Sequence, residues 1–243
     1  MKTIIVTGSS SGIGKGIAQF FLNNQWNVVL NSASEENLKR AFEELGSPEN
    51  AVSIAGDVGD KRTGEKLVQA AIDHFGSVDV LVNNAGIFQP KPFLDVDEND
   101  LDLFLRVNLK GTYFTSQAAV KAMLKQNEGL IINIGTVLVD HALAGLPATA
   151  PIASKGGIHA LTKQLAAEFA KNNIRVNAIA PGIIRSPLQG KVGVDDPDSL
   201  AGLQLLNRIG EVDDIAQACY YLANSNFLTG VVLNVDGGQL AGH

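Results

Sequence analysis

The sequence predicts an α/β fold, a doubly wound parallel sheet with helices on both faces, and three observations carry that reading. Short β-branched apolar runs alternate with longer segments whose apolar residues recur at helical spacing, from one end of the chain to the other. Strands joined through helices must run parallel, and right-handed crossovers then place helices on both sides of the sheet. Hydrophobic residues make up 45% of the 243, enough to bury such a sheet, and no linker or internal repeat divides the chain. We therefore expect one domain over 1–243.

The elements follow in order. Thr3-Ile4-Ile5-Val6 is the first strand and Lys15 to Leu22 the first helix. Asn27 to Asn31 is the second strand, and a charged helix runs from about Glu35 to Leu45, stopped by Gly46 and Pro48. Ala51 to Ala55 is the third strand, followed by an amphipathic helix from Lys61 to Phe75 that ends at Gly76. Val78 to Val82 is the fourth, and one long helix is expected from Glu98 to Leu124. Leu130 to Ile134 is the fifth strand, and a helix from Ile152 to Lys171 follows a Gly-, Ala- and Pro-rich loop. Ile174 to Ile179 and Val231 to Val235 are the last strands, separated by an irregular stretch and a helix from Val212 to Ala223.

Between the first strand and first helix lies Thr7-Gly8-Ser9-Ser10-Ser11-Gly12-Ile13-Gly14. Glycines let the backbone turn sharply and approach a ligand closely, and the free N–H groups of a helix start attract an anion. A strand, a glycine turn and a helix in that order point to a dinucleotide pyrophosphate.

Other classes are disfavoured. A net charge of −6 with no basic run argues against nucleic acid. The single cysteine, Cys219, has no disulfide partner in the chain and sits in an apolar helical pattern. Membrane spans need about 18 consecutive apolar residues, and no stretch approaches that. No metal-ligand spacing is visible. The start runs straight into the first strand with no leader pattern, so a cytoplasmic protein is expected.

From these motifs onward the chain resembles the short-chain dehydrogenase/reductase family over nearly its whole length. Thr7, Gly8, Gly12 and Gly14 match its TGxxxGxG, and Asn83-Asn84-Ala85-Gly86 its NNAG, although the latter alone also reads as a plain turn. Asn108 stands where the family has a helix-kinking asparagine, and Pro181-Gly182 with Ser186 resembles its nicotinamide-closing segment. Arg208-Ile209-Gly210 and Val235-Asp236-Gly237-Gly238 resemble its C-terminal third. The resemblance implies a Rossmann-type seven-stranded sheet, an NAD or NADP cofactor, a small carbonyl or alcohol substrate and a homotetramer. It places Gly8, Ser10, Ser11, Gly12, Ile13, Gly14, Ser32, Asp57, Val58, Asn84, Ala85, Gly86, Lys155, Pro181, Gly182, Ile184 and Ser186 at the cofactor. The helix carrying Ile158, Leu161, Leu165, Ala166 and Phe169 has more apolar surface than one sheet contact needs and is expected at a subunit interface.

The tip of the second strand selects the cofactor, because a carboxylate there bonds the ribose 2′-hydroxyl and repels a 2′-phosphate. Here the tip is Asn31-Ser32-Ala33-Ser34, with no carboxylate, which favours NADP(H) over NAD(H). Ser11 and Ala33 occupy places where NADP-preferring relatives often carry cations, and Lys15 and Arg40 read as solvated helix charges.

The family's proton chemistry uses Ser or Thr, Tyr and Lys, supported by an Asn. Thr136 matches the hydroxyl after the fifth strand, Lys155 the lysine and Asn108 the asparagine. Four residues before Lys155, where the resemblance implies tyrosine, stands Pro151, which has no side-chain proton to give. The loop from Val137 to Ala150 is longer than the family's usual spacing. Within it His141, beside Asp140, is the candidate replacement donor, with a solvated pair as the alternative reading. His74, His159 and His243 are expected on the surface or at the terminus. The two functions in view are an NAD(P)-dependent oxidoreductase with a weakened proton donor and a dinucleotide-binding protein with little turnover.

Overall fold

The computed structural model describes residues 1–242. Among them seven strands form one sheet in the order β3-β2-β1-β4-β5-β6-β7. They are β1 (Thr3–Val6), β2 (Asn27–Ser32), β3 (Ala51–Ala55), β4 (Val80–Asn83), β5 (Gly129–Ile134), β6 (Ile174–Pro181) and β7 (Val232–Val235), every neighbouring pair parallel. β1, β2, β4 and β5 are buried at every position, as a sheet covered on both faces requires.

Alternation along each strand divides the core in two. Ile4, Val6, Val28 and Leu30 face α1 (Gly12–Asn23) and α8 (Val212–Asn224). Ile5, Val29, Leu81 and Ile131 face α3 (Lys61–Phe75) and α5 (Gly111–Gln126). The remaining helices are α2 (Glu35–Glu44), α4 (Glu98–Phe104), α6 (Thr149–Phe169), α7 (Leu188–Lys191) and α9 (Gln239–Gly242). No helix among the described residues is long and apolar enough to cross a membrane.

Three expectations are corrected. The long helix from Glu98 to Leu124 is interrupted by a π-helical turn, Leu105–Lys110, that contains Asn108. The helix near the site begins earlier than expected, so Pro151 is the third residue of α6, where a missing N–H breaks no helical bond. α6 also uses its apolar residues within its own chain. Ile158 and Ala166 are buried, and Leu165 and Phe169 pack against the core below β6. The exposed apolar side chains of this region lie instead on α4 and α5, at Leu101, Leu103, Tyr113 and Leu124.

Candidate functional site

The sheet order reverses between β1 and β4, and ligands of doubly wound folds bind where the loops leaving such strands diverge. Here the two loops are fastened together. The Asn84 and Ala85 N–H groups both donate to Thr7 Oγ1 at 3.0 Å. Asn84 Nδ2 donates to the Thr7 and Gly8 carbonyls at 2.9 and 3.0 Å. Gly8 has φ +65°, and a Cβ on it would lie 2.7 Å from Ala85 Cα, so only glycine lets the loops meet. A Cβ on Gly14 would lie 2.4 Å from the Gly8 carbonyl oxygen. Gly14 therefore closes the turn from inside and is absent from the wall described next.

A cleft of about 1030 Å³ opens along the carboxyl ends of the strands. Its wall includes Gly8, Ser10, Ser11, Gly12 and Ile13 from the first turn, and Ser32, Asp57 and Val58 from the ends of β2 and β3. Asn84, Ala85 and Gly86 follow β4, and Thr136 follows β5. Pro151 and Lys155 come from α6, and Pro181, Gly182, Ile184 and Ser186 from the segment after β6.

Two expected catalytic residues do not reach it. His141 is off the wall, because the loop folds back so that its N–H donates to the Val137 carbonyl at 3.0 Å and Leu143 through Leu146 face the cleft instead. Asn108 is fully buried. It accepts from the Ile87 N–H at 2.8 Å and donates to the Ile87 carbonyl at 3.0 Å and to Ser154 Oγ at 2.9 Å. Its place is between the loop after β4 and α6, a positioning role. A second buried network does the same deeper down. Asn83 Nδ2 donates to Ser116 Oγ and Asn133 Oδ1, both at 2.9 Å, and Asn133 Nδ2 donates to Thr162 Oγ1 at 2.9 Å. These bonds fix α5 and α6 against β4 and β5.

His159, expected on the surface, is buried, with Nδ1 3.8 Å from the Asp140 carboxylate. Burial lowers its pKa, Asp140 opposes that, and Lys155 adds to it. Its ring occupies the space a Cβ on Gly135 would need, which explains glycine before Thr136.

Among the described residues, the acidic and basic side chains on the wall are Asp57, Arg106 and Lys155. Arg106 had no sequence signal, since its partner lies 49 residues away; its Nη1 donates to Asp57 Oδ2 at 2.6 Å. Burial raises the Asp57 pKa, but the Arg106 and Gly59 bonds outweigh it and hold the carboxyl below its usual range. Lys155 is partly open to the cleft, and its Nζ donates to the Ile134 carbonyl at 2.6 Å. Burial of its ammonium among uncharged groups lowers its pKa to about 8.

The cleft has two chemically distinct ends. Beside β2 it is polar, with Ser10, Ser11, Ser32, Ser34 and Asn37 on the wall and Ser10 Oγ donating to Ser32 Oγ at 3.0 Å. Past Thr136 it is apolar, walled by Phe88, Pro90, Leu138, Leu143, Leu146, Val192, Leu200 and Leu203. Val192, Leu200 and Leu203 come from the stretch whose sequence is irregular, which forms α7 and a 3-10 turn, Pro197–Leu203.

A family model described as enoyl-(acyl carrier protein) reductase matches residues 8–239. The chain belongs to the short-chain dehydrogenase/reductase family. Within this oxidoreductase family, it is 35% identical over 240 residues to 3-oxoacyl-(acyl-carrier-protein) reductase FabG of Thermotoga maritima, covering 98% of this chain and 97% of that one. The solved structure of ElxO with NADP bound superposes with a TM-score of 0.91, at 34% identity and 99% coverage of both chains. That of 3-ketoacyl-(acyl-carrier-protein) reductase from Brucella melitensis complexed with NADH gives 0.91, at 28% identity and 98% coverage of both. A nicotinamide dinucleotide is thus the family's supported cofactor, and the cleft fits one. The glycine cradle leaves no room for a Cβ at Gly8. The first turn of α1 carries no acidic residue, and its cap residue Ser11 makes no side-chain cap bond, so N–H groups remain for an anion.

Proposed function

We propose that this chain is an NADP(H)-dependent reductase of small uncharged carbonyl compounds, or a dehydrogenase of the corresponding alcohols, working with a weakened proton donor. The observation that carries the reading is that Thr136, Lys155 and the glycine turn share one cleft whose far end is apolar. Gly8, Ser11, Gly12 and Ile13 would hold the pyrophosphate, Asp57 and Val58 would border the adenine, and Ala85 and Gly86 would back the ribose. Ser10, Ser32 and Ser34 are on the wall there and Glu35 and Glu36 are not, which supports a 2′-phosphate. Pro181, Gly182, Ile184 and Ser186 would border the nicotinamide, which when bound supplies the hydride. Thr136 Oγ1 accepts from the Leu138 N–H at 3.3 Å, which leaves its proton free to donate to a substrate oxygen. Pro151 at the family's tyrosine position is the basis for calling the donor weakened.

Pro151 also supports a second reading, a dinucleotide-binding protein with little turnover. Calorimetric titration with NADPH and NADH, followed by cofactor oxidation against a panel of ketones and aldehydes, separates the two. NADPH binding with slow turnover is the expected result. Binding without turnover of any carbonyl favours the second reading, and no binding defeats both. A homotetramer with α4 and α5 in the interface is part of the proposal, supported by family membership and by exposed Leu101 on α4 and Tyr113 and Leu124 on α5; a monomer by light scattering would refute it.

A further inference from the structure

Carbonyl reduction needs a proton as well as a hydride, and the cleft narrows the sources. No histidine, tyrosine, cysteine or glutamate stands on its wall among the described residues. Asp57 and Arg106 are committed to each other beside β3. Thr136 can orient an oxygen, but a hydroxyl of its acidity does not carry a net proton at neutral pH. Among the side chains of the wall, Lys155 is what remains.

Resting on the reductase reading, we infer that Lys155 Nζ is the group that protonates the substrate oxygen directly, in place of a tyrosine. An ammonium has three donors, and one is used on the Ile134 carbonyl. That leaves one for a ribose hydroxyl and one for the substrate. Nζ stands near the loop after β4, 3.3 Å from where a Cβ on Gly86 would be, and two residues beyond its carbonyl partner lies Thr136. Pro151, one helical turn before Lys155 and also on the wall, is too short and too inert to come between Nζ and a ligand.

The step balances. A bound reduced nicotinamide would supply the hydride for the C–H bond at the carbonyl carbon, the C=O π pair moving to oxygen. Nζ–H breaks and O–H forms, leaving alcohol, oxidised nicotinamide and a neutral amine that regains its proton from water. The reverse step, alcohol oxidation, starts from the neutral amine.

Proton transfer in both directions requires a donor titrating near neutrality. No charged side chain contributes to the lowering of the Lys155 pKa, which comes from burial. The titratable neighbour on its own helix is His159, one turn on, whose pKa burial lowers; Asp140, across from His159, faces that ring.

The test has two arms. In the cofactor-free protein, amine-labelling rates as a function of pH, read by peptide mass mapping, should show Lys155 titrating near pH 8, and a midpoint in the ordinary lysine range, about 10.4, would overturn the inference. In the second arm, kcat/KM for carbonyl reduction should be level below pH 8 and fall tenfold per pH unit above it. Lys155→Arg, which keeps the charge but cannot release a proton, should lower turnover about 10²–10⁴-fold. Because Lys155 also holds a ribose hydroxyl, NADPH affinity is measured in the same variant and turnover is compared at saturating NADPH, and Lys155→Met serves if Lys155→Arg does not fold. A level profile through pH 8, or turnover retained within tenfold in Lys155→Arg, refutes the donor assignment while leaving the reductase reading intact. NADPH binding with no turnover of any carbonyl defeats that reading, and the donor assignment with it.

Discussion

Asn108 Nδ2 donates to Ser154 Oγ at 2.9 Å, and Ser154 Oγ in turn donates to the Pro151 carbonyl at 2.6 Å. A side chain in the π-helical turn thereby fixes the start of α6, whose first two turns carry Pro151 and Lys155. Removing Asn108 leaves the half-buried Ile87 N–H and carbonyl and the fully buried Ser154 without that partner. Asn108→Ala should cost about 1–3 kcal/mol, the penalty for stranding buried polar groups. Urea unfolding measures it, and a loss below a few tenths of a kcal/mol would show that the bond is dispensable.

Gly8 and Gly46 both have positive φ, +65° and +87°, but only Gly8 meets another backbone. Gly46→Ala should cost roughly 1 kcal/mol of stability through left-handed strain alone, with NADPH affinity unchanged. Gly8→Ala should weaken NADPH binding at least tenfold, because the added carbon pushes the first turn away from Asn84 and Ala85. Calorimetry on the two variants, side by side, checks the contrast.

Ser32→Asp places a carboxylate where Ser10 and Ser32 now bond. Repulsion of a 2′-phosphate should weaken NADPH at least tenfold, about 1.4 kcal/mol, and leave NADH within a few-fold. Equal loss of both cofactors would mean that the 2′-phosphate is not read at this end of the cleft.

The oxidation direction gives a pH profile opposite to that of reduction. Alcohol oxidation needs Lys155 as the neutral amine, and its pKa is lowered to about 8. Below that value the amine is protonated, so kcat/KM for oxidation should rise tenfold per unit and level off above pH 8. A profile that instead levels above about pH 6.5 would point to a histidine.

His141→Ala should leave turnover within twofold, since His141 is off the cleft wall. Pro151→Tyr should raise turnover, because the third residue of α6 faces the cleft one turn before Lys155. No gain, with cofactor binding intact, would mean that Thr136 and Lys155 do not hold a substrate oxygen between them.

Chain order and residue period by themselves determined the strands, the helices and the glycine turn, because these depend on interactions local in the chain, and the alternation of strand with helix implied a parallel sheet. They also placed the loops after β1, β3, β4, β5 and β6 at one edge, since every strand of a parallel sheet ends on the same side. Tertiary structure decided what those loops do. Asn83, Asn84 and Asn108 read as motif letters, yet their amides are spent on partners 21 to 77 residues away in sequence. The Asp57–Arg106 pair, the burial of His159 and the exclusion of His141 depend on how separate elements pack, for which periodicity holds no signal. The irregular stretch after β6 became the apolar end of the cleft for the same reason: with no period of its own, its residues were sorted by what they packed against.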